Sequence, residues 1–145
     1  MTNWIRAAVV SWLRYKKPLP EAPLSDFERI RHEIKACDVL LIEGRSRVSE
    51  VIKLITQSNW SHAVLYIGRL HDIENPQLRK RLGKFYNGNA DKQLIIESEL
   101  GMGTVVRVLT SYEREHIRIC RPRGLGYNDS QKVLAYAIGR LGTAY

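Results

Sequence analysis

The sequence lacks the features that mark membrane-spanning, disulfide-bonded and zinc-binding proteins. No apolar run approaches the roughly 18 to 20 residues that a membrane span requires. The cysteines, Cys37 and Cys120, lie far apart with no CxxC spacing, which argues against a disulfide framework and a zinc site. Arg6 and Arg14 bracket a broken apolar segment without a small-residue cleavage site, so it is not a clean secretory signal. We therefore expect a cytoplasmic or membrane-peripheral protein.

Acidic residues are scarce relative to basic ones. The 15 Asp and Glu residues stand against 23 Lys and Arg, which gives a formal net charge of +8 and a pI of about 9.7. This balance favours an anionic partner such as nucleic acid, acidic lipid headgroups or an anionic polymer. The alternative is charge spread over the surface for solubility. A chain of 145 residues has room for one domain with a core but hardly for two.

Residues 3–15 have the periodicity of an amphipathic helix. Its apolar stripe consists of Trp4, Ile5, Ala8, Val9, Trp12 and Leu13. A basic helix with two tryptophans suits the surface of an anionic membrane. A stripe is more often core, however, so packing against the domain is the favoured reading. Residues 18–23 predict a Pro-rich linker, which divides the chain into an N-terminal helix and linker (1–24) and one α+β domain (25–145).

Helical and strand patterns alternate through the domain. Ser25 and Glu28 match a capping box at the start of a helix. Residues 69–92 are polar and basic, and since they are long for a hairpin connection we interpret them as an insertion with a short helix near 77–82. Further helices are predicted at 46–57 and 132–141, the last capped by Asn128 or Asp129, and strands at 38–44, 62–68, 93–98, 104–109 and 117–121. We expect an antiparallel sheet with packed helices.

His62 stands at the first position of a strongly apolar strand. An imidazole titrates near neutral pH, so a histidine held by a sheet is a candidate general base. If the strands that begin at His62 and end near Glu97 pair in antiparallel fashion, the two residues face each other. A carboxylate at that position orients the ring and stabilises the imidazolium. A slip of one residue would place Glu97 on the other face of the sheet.

These strands resemble a known family. The sequences Asp-Val-Leu-Leu, Trp-Ser-His-Ala-Val-Leu-Tyr-Ile-Gly, Ile-Ile-Glu-Ser and Val-Val-Arg-Val-Leu occur in this order, with a helix after the first and a glycine turn before the last. In this respect residues 37–145, apart from the insertion at 69–92, are similar to the circularly permuted papain-like, YiiX-like relatives of the NlpC-type cysteine peptidases. The resemblance implies a barrel-like sheet of about five strands in the permuted papain-like topology.

The resemblance also implies a site and a reaction. His62 would be the base and Glu97 its orienting residue, with Trp60, Ser61, Ser98 and Tyr145 as substrate-binding or supporting residues. The nucleophilic cysteine of this family follows the position of Tyr145, so we expect either a fragment of a longer protein or a degenerate family member. Substrates would be amide or (thio)ester bonds of cell-wall peptides or acyl lipids, cleaved without a metal or organic cofactor.

Two other functions stay open. The first is a catalytically inactive scaffold or membrane-associating domain with the same fold, which gains support because no evident nucleophile is present. The second is a basic module that binds nucleic acid. This is disfavoured because the strands show no interleaving of basic and aromatic residues, and no nucleic-acid partner is expected.

Overall fold

The computed structural model describes residues 3–19, 21–22 and 24–144. The helices are α1 (Asn3–Leu13), α2 (Phe27–Glu33), α3 (Arg47–Thr56), α4 (Pro76–Gly83) and α5 (Tyr127–Gly139). The strands are β1 (Val39–Ile42), β2 (His62–Arg69), β3 (Gln93–Glu99), β4 (Gly103–Val108) and β5 (Ile117–Cys120). Short 3-10 turns follow β2 (Leu70–Asp72) and β4 (Leu109–Tyr112). In chain order α3 lies between β1 and β2, and α4 between β2 and β3.

The strands form one antiparallel sheet in the order β4-β3-β2-β1-β5. This confirms the predicted α+β fold with a five-stranded antiparallel sheet and packed helices. Within the part of the chain that the structure describes, β4 and β5 each pair on one side only. The sheet is therefore open, and the barrel-like closure that we expected is not present.

Each face of the sheet carries its own apolar core, because successive side chains of a strand point to opposite faces. The first core includes side chains of β1, β2 and β3 packed against α2, among them Leu40, Ile42, Val64, Ile95, Ile30 and Ile34. The second core packs the opposite face against α4 and α5, through Ile67, Leu94, Ile96, Leu82, Leu134 and Ile138. The first of these faces also carries the site described below.

The basic segment 69–92 contributes to the second core. Leu82 of α4 is fully buried in the cluster that includes α5. The guanidinium of Arg81 donates hydrogen bonds of 2.9–3.2 Å to the last carbonyl oxygens of α5 and the residues after it, those of Ile138, Gly139 and Leu141. Such contacts satisfy carbonyl groups that the helix itself leaves unpaired. This arginine of the segment therefore stabilises the fold.

Two helices begin at residues other than those predicted. The N-cap of α2 is Asp26, whose side chain accepts a hydrogen bond of 3.1 Å from the backbone of Arg29. Ser25 Oγ instead accepts a hydrogen bond of 2.8 Å from the backbone N–H of Ile117, and so ties the start of α2 to β5. The predicted capping box is therefore wrong. Helix α5 follows Gly126 with no side-chain cap, so the cap predicted at residues 128–129 is wrong as well.

The apolar stripe of α1, which the sequence predicts to be buried against the domain, is largely exposed. None of the described residues of α1 is buried, and Trp4 and Trp12 are 71% and 60% exposed. The helix contacts the domain through a neighbouring face instead, where Val10 lies against Gly101 in the β3–β4 turn. Ile5 and Leu13 of the stripe are half-buried, so the favoured packing of the stripe against the domain is wrong for Trp4 and Trp12 but not for the whole stripe.

The predicted linker at 18–23 includes Pro20 and Pro23, which lie outside the described residues. Over the ranges that the structure does describe, no helix combines the length and apolar character needed to cross a bilayer.

Candidate functional site

Strand β2 begins at His62, as the sequence predicts, and pairs with β3. The ladder pairs Leu65 with Ile96, so the same register continued sets His62 opposite Glu99 rather than Glu97. The prediction that His62 lies directly opposite Glu97 is therefore wrong by two residues. Because side chains alternate with a period of two, this shift keeps His62 and Glu97 on one face as diagonal neighbours, which lie within reach of long side chains.

The His62 ring and the Glu97 carboxylate are joined by a hydrogen bond between Nε2 and Oε2. The Glu97 side chain is 3% exposed and that of His62 is 28% exposed, so the carboxylate is buried and the ring reaches solvent. A proton on Nε2 that is donated to the carboxylate leaves Nδ1 as the unprotonated ring nitrogen. Among the described residues no hydrogen bond involves Nδ1. This nitrogen is free to accept a proton from a reacting group.

Glu97 is held by two further side chains. Tyr112 donates a hydrogen bond of 2.6 Å from its hydroxyl to Oε2, and Arg107 Nε lies 3.1 Å from Oε1. Burial is the largest single influence on the pKa of Glu97 and raises it. The hydrogen bonds from His62 and Tyr112 and the positive charge of Arg107 together outweigh burial, so the pKa lies below its ordinary value. The carboxylate is ionised at neutral pH.

Tyr112 supplies its hydrogen bond as a neutral phenol. Its burial, followed by the charge of Glu97, raises the pKa of the Tyr112 hydroxyl far above its ordinary value. No role for Tyr112 is predicted from the sequence, because this residue lies in the 3-10 turn after β4, where no periodic pattern places it.

Arg107 was also missed, although the sequence contained a signal for it. Around the glycine turn the hairpin register pairs Glu97 with Val105 and Ile95 with Arg107, which puts Arg107 on the face of Glu97. Its guanidinium also pairs with Glu99, and that contact is the main reason that the pKa of Arg107 is raised. The side chain is therefore a fixed positive charge beside the buried carboxylate.

His62 and Glu97 line a cleft of about 380 Å³, a volume within the range of small-molecule sites, about 300–1,000 Å³. Its walls come from the end of α1, the β1–α3 loop, α3, the end of β3 and the 3-10 turn after β4. Apolar side chains of Leu13, Val48 and Ile52 lie beside charged and hydroxyl groups in the lining. The cleft can therefore accept an amphipathic ligand.

The residues that follow α1 hold the end of this helix at the cleft. Arg14 forms an ion pair with Glu99 at the end of β3. The backbone N–H of Lys17 donates a hydrogen bond of 3.0 Å to the carbonyl oxygen of Arg45, and the Arg45 side chain bonds back to the Lys17 carbonyl. The N-terminal segment therefore forms one wall of the cleft.

Of the four residues predicted to bind substrate or support the site, two line the cleft. Ser61 and Ser98 both line the cleft, Ser61 half-buried and Ser98 exposed. Trp60 lies outside the cleft lining and packs against the ring of His116, with 4.9 Å between ring centroids. Tyr145 lies outside the described residues.

His116 forms a second histidine–carboxylate pair that sequence reasoning missed. Nδ1 of the His116 ring lies 2.9 Å from Oε2 of Glu43. This hydrogen bond is the main reason that the pKa of Glu43 is lowered, and Lys53 adds to the effect from 3.4 Å. Neither His116 nor Glu43 lines the cleft. The pair joins the end of β1 to the start of β5.

Neither cysteine lines the cleft. Cys37 is buried before β1, where its thiol donates a hydrogen bond of 3.5 Å to the carbonyl oxygen of Ser130. Burial, followed in the same direction by the charge of Asp38, raises the pKa of the Cys37 thiol. Cys120 faces Val39 across the β1–β5 ladder. A nucleophilic thiol needs the opposite environment, one that favours the thiolate.

The part of the chain that the structure describes contains no group of three or more His, Cys, Asp or Glu side chains arranged to hold a metal ion. In comparisons with known proteins, no family model, no curated protein and no solved structure matches this chain. The case for a function therefore depends on the geometry of the cleft.

Proposed function

We propose that the cleft around His62 and Glu97 is the base side of a cysteine hydrolase site of the permuted papain-like, NlpC-type class. Its substrate would be an amide or (thio)ester carbonyl of a cell-wall peptide or an acyl lipid. The observation that carries the proposal is the hydrogen bond from an accessible histidine ring in a cleft to a buried, ionised carboxylate. The resemblance of the two strands that carry these residues supports the same class.

Each group has a defined task in this reaction. Nδ1 of His62 takes the proton of a cysteine thiol, and the thiolate attacks the carbonyl carbon. The tetrahedral intermediate collapses when the imidazolium returns the proton to the leaving amine, alcohol or thiol. Water then attacks the acyl-thioester, His62 removes its proton, and the free acid and the thiol are released. Glu97 stays ionised and holds the ring in one tautomer throughout.

The cysteine of this reaction is neither Cys37 nor Cys120, because neither lines the cleft and the pKa of Cys37 is raised. We propose that the thiol comes from a segment or chain outside these 145 residues. It would enter the cleft beside the exposed edge of the His62 ring.

An inactive scaffold of the same fold is the second candidate. The specific observation in its favour is that no cysteine lines the cleft among the described residues. In this case the hydrogen bonds of Glu97 would serve stability alone. The two candidates differ in one measurable property, which is whether His62 activates a thiol.

A thiol supplied from solution tests the proposal. The chain is mixed with 2-mercaptoethanol and p-nitrophenyl acetate, and release of p-nitrophenol is followed at neutral pH. We expect the wild-type chain to accelerate thiolysis about tenfold or more relative to the His62→Ala variant, since a positioned general base contributes on this order or above. The Glu97→Gln variant should fall between the two.

His71→Ala is the matched control. His71 lies outside the cleft, with about half of its side chain exposed, so its loss should leave the rate unchanged. Circular dichroism establishes that all variants are folded. Equal rates for folded wild-type and His62→Ala proteins would reject the base assignment and favour the inactive scaffold.

A further inference from the structure

The outer faces of α1 and α3 carry large apolar side chains that the fold leaves uncovered. We define the apolar ridge as Trp4 and Trp12 of α1 with Val51, Leu54 and Ile55 of α3. Trp4 and Trp12 are 71% and 60% exposed, and Val51, Leu54 and Ile55 are 52%, 80% and 76% exposed. A contiguous apolar patch of this kind marks an interaction site more often than scattered exposed residues do.

Arg47 joins the two halves of the apolar ridge. Its guanidinium carbon lies 4.3 Å from the ring centroid of Trp12 and 5.1 Å from that of Tyr15, in a double cation–π contact. Val51 and Leu54 lie four and seven positions after Arg47, so they continue its face of α3. Trp4 and Trp12 lie eight positions apart on one face of α1. The exposed side chain of Ala8 lies between them on this face, so apolar surface extends from Trp4 through Trp12 to Arg47 and α3.

The surroundings of the ridge are positively charged. The first 20 residues of the sequence contain four basic residues and no Asp or Glu. Arg14 and Lys17 are paired with carboxylates. Among the described residues, Arg6, Lys16 and Arg47 form no ion pair, so their charges are not neutralised within the fold. The ridge thus combines exposed tryptophan with uncompensated positive charge.

We infer that the apolar ridge docks this protein onto an anionic membrane surface. Tryptophan side chains concentrate at the boundary between headgroups and acyl chains, and nearby Lys and Arg are attracted to anionic headgroups. Both chemistries are present on one surface. The same two helices contribute Leu13, Val48 and Ile52 to the cleft, so a docked membrane would lie next to the cleft. Docking of the ridge onto a membrane does not require the proposed hydrolysis.

Vesicle binding tests the inference directly. The full chain is mixed with phosphatidylcholine vesicles and with vesicles that also contain phosphatidylglycerol, and the bound fraction is measured by flotation. Binding to the anionic vesicles is expected, with a blue shift of tryptophan fluorescence and a loss of binding at high salt. Failure to bind, or equal binding to both vesicle types, would overturn the inference.

Two double variants test whether the apolar ridge is the surface that binds the vesicles. Trp4→Ala/Trp12→Ala and Leu54→Ser/Ile55→Ser should each weaken binding to anionic vesicles about tenfold or more, because each removes two exposed apolar side chains. All four side chains are more than half exposed, so the fold should tolerate both changes. Unchanged binding by both folded variants would overturn the inference.

Tyr136→Ala is the matched control for the ridge variants. Tyr136 is 71% exposed and has an arginine over its ring, as Trp12 has, but it lies on α5 at the other face of the sheet. The Tyr136→Ala variant should bind vesicles as the wild-type chain does.

A dimer of the chain in solution would be a competing explanation for the exposed ridge. If such a dimer forms and Leu54→Ser/Ile55→Ser abolishes it, the ridge is an interface with a second copy of the chain, and the membrane assignment is overturned. His62→Ala should retain vesicle binding, which separates this test from that of hydrolysis.

Discussion

Tyr112 and His62 bond to the same oxygen of one buried carboxylate. The Tyr112 hydroxyl donates to Glu97 Oε2 at 2.6 Å, and Nε2 of His62 bonds to this atom as well. Arg107 lies at the other oxygen. Rotation of the carboxylate would disturb all three contacts, so the orientation of the His62 ring is coupled to a tyrosine in a different structural element.

Removing the carboxylate should destabilise the fold. In Glu97→Ala, the His62 and Tyr112 side chains lose their shared acceptor and Arg107 loses a buried counter-charge. We expect the free energy of unfolding, measured by urea denaturation, to fall by about 2–4 kcal/mol. Glu99→Ala is the control on the same strand, and because its carboxylate is more exposed the loss should be about 1 kcal/mol or less. Equal losses would show that Glu97 is not the central acceptor.

Removing only the hydroxyl of Tyr112 tests the second contact. Tyr112→Phe keeps the ring but removes one donor to Glu97, so the free energy of unfolding should fall by about 1–2 kcal/mol. In the thiolysis assay the rate should fall less than in His62→Ala, because the imidazole stays in place. Tyr86→Phe removes a more exposed hydroxyl that bonds to the Asn89 carbonyl, and should leave thiolysis unchanged. A Tyr112→Phe protein as stable as the wild type would contradict this role.

The lowered pKa of Glu97 predicts a dependence of stability on pH. As the pH falls through the ordinary value of 4.5, the unfolded chain binds a proton at this residue before the folded chain does, so the folded state loses stability. Glu97→Gln has no such proton to bind. The stability advantage of the wild type over Glu97→Gln should therefore be constant above about pH 6 and shrink between about pH 5 and 3. Urea titrations across this range measure the difference in free energy of unfolding between the two proteins. A difference that grows as the pH falls would contradict the prediction.

Gly44 lies where the β1–α3 loop approaches the cleft. A Cβ at this position would lie 2.1 Å from Ser49 Oγ and 2.7 Å from Ser61 Oγ. Because Ser49 is buried, Gly44→Ala should lower the free energy of unfolding by about 1–3 kcal/mol. Gly83→Ala is the control, since a Cβ there meets nothing within 4 Å, and in a helix it should be neutral or stabilising by up to about 1 kcal/mol. Thermal denaturation of both variants checks the contrast.

The environment of Cys37 predicts an inert thiol. It is 3% exposed, and burial raises its pKa, so alkylation by iodoacetamide at neutral pH should be slow in the folded protein. Cys120 is partly exposed and should react faster. Mass spectrometry of the labelled peptides gives both rates. Rapid alkylation of Cys37 that depends on His62 would show that our exclusion of this cysteine is wrong.

Local patterns were sufficient for much of the fold and for the central pair. The apolar run that starts at His62 and the run that contains Glu97 predict two strands. The glycine turn after Glu97 predicts an antiparallel hairpin with the next strand, whereas pairing of the His62 and Glu97 strands with each other was a condition of the site prediction. The diagonal register was not predicted, because the long β2–β3 connection does not fix how the two strands align, and the ladder also contains a bulge within β2, between Tyr66 and Gly68. The error did not separate the pair, since a shift of two residues preserves the face.

Periodicity also failed on α1, where it identified an apolar face but not what would cover that face. An amphipathic pattern records the side chains of one helix, whereas burial depends on whether another surface lies opposite. Trp4 and Trp12 therefore belong to the predicted apolar face and are nonetheless exposed in the fold.

By itself the sequence determined the α+β class, the antiparallel sheet and the presence of a histidine and a glutamate on two of its strands, because these follow from the alternation of side chains and from turn residues. Only the tertiary structure decided that Tyr112 and Arg107 complete the site, that neither cysteine belongs to it and that the tryptophans stay exposed. These facts depend on contacts between residues distant in the chain, and no local period encodes such distances.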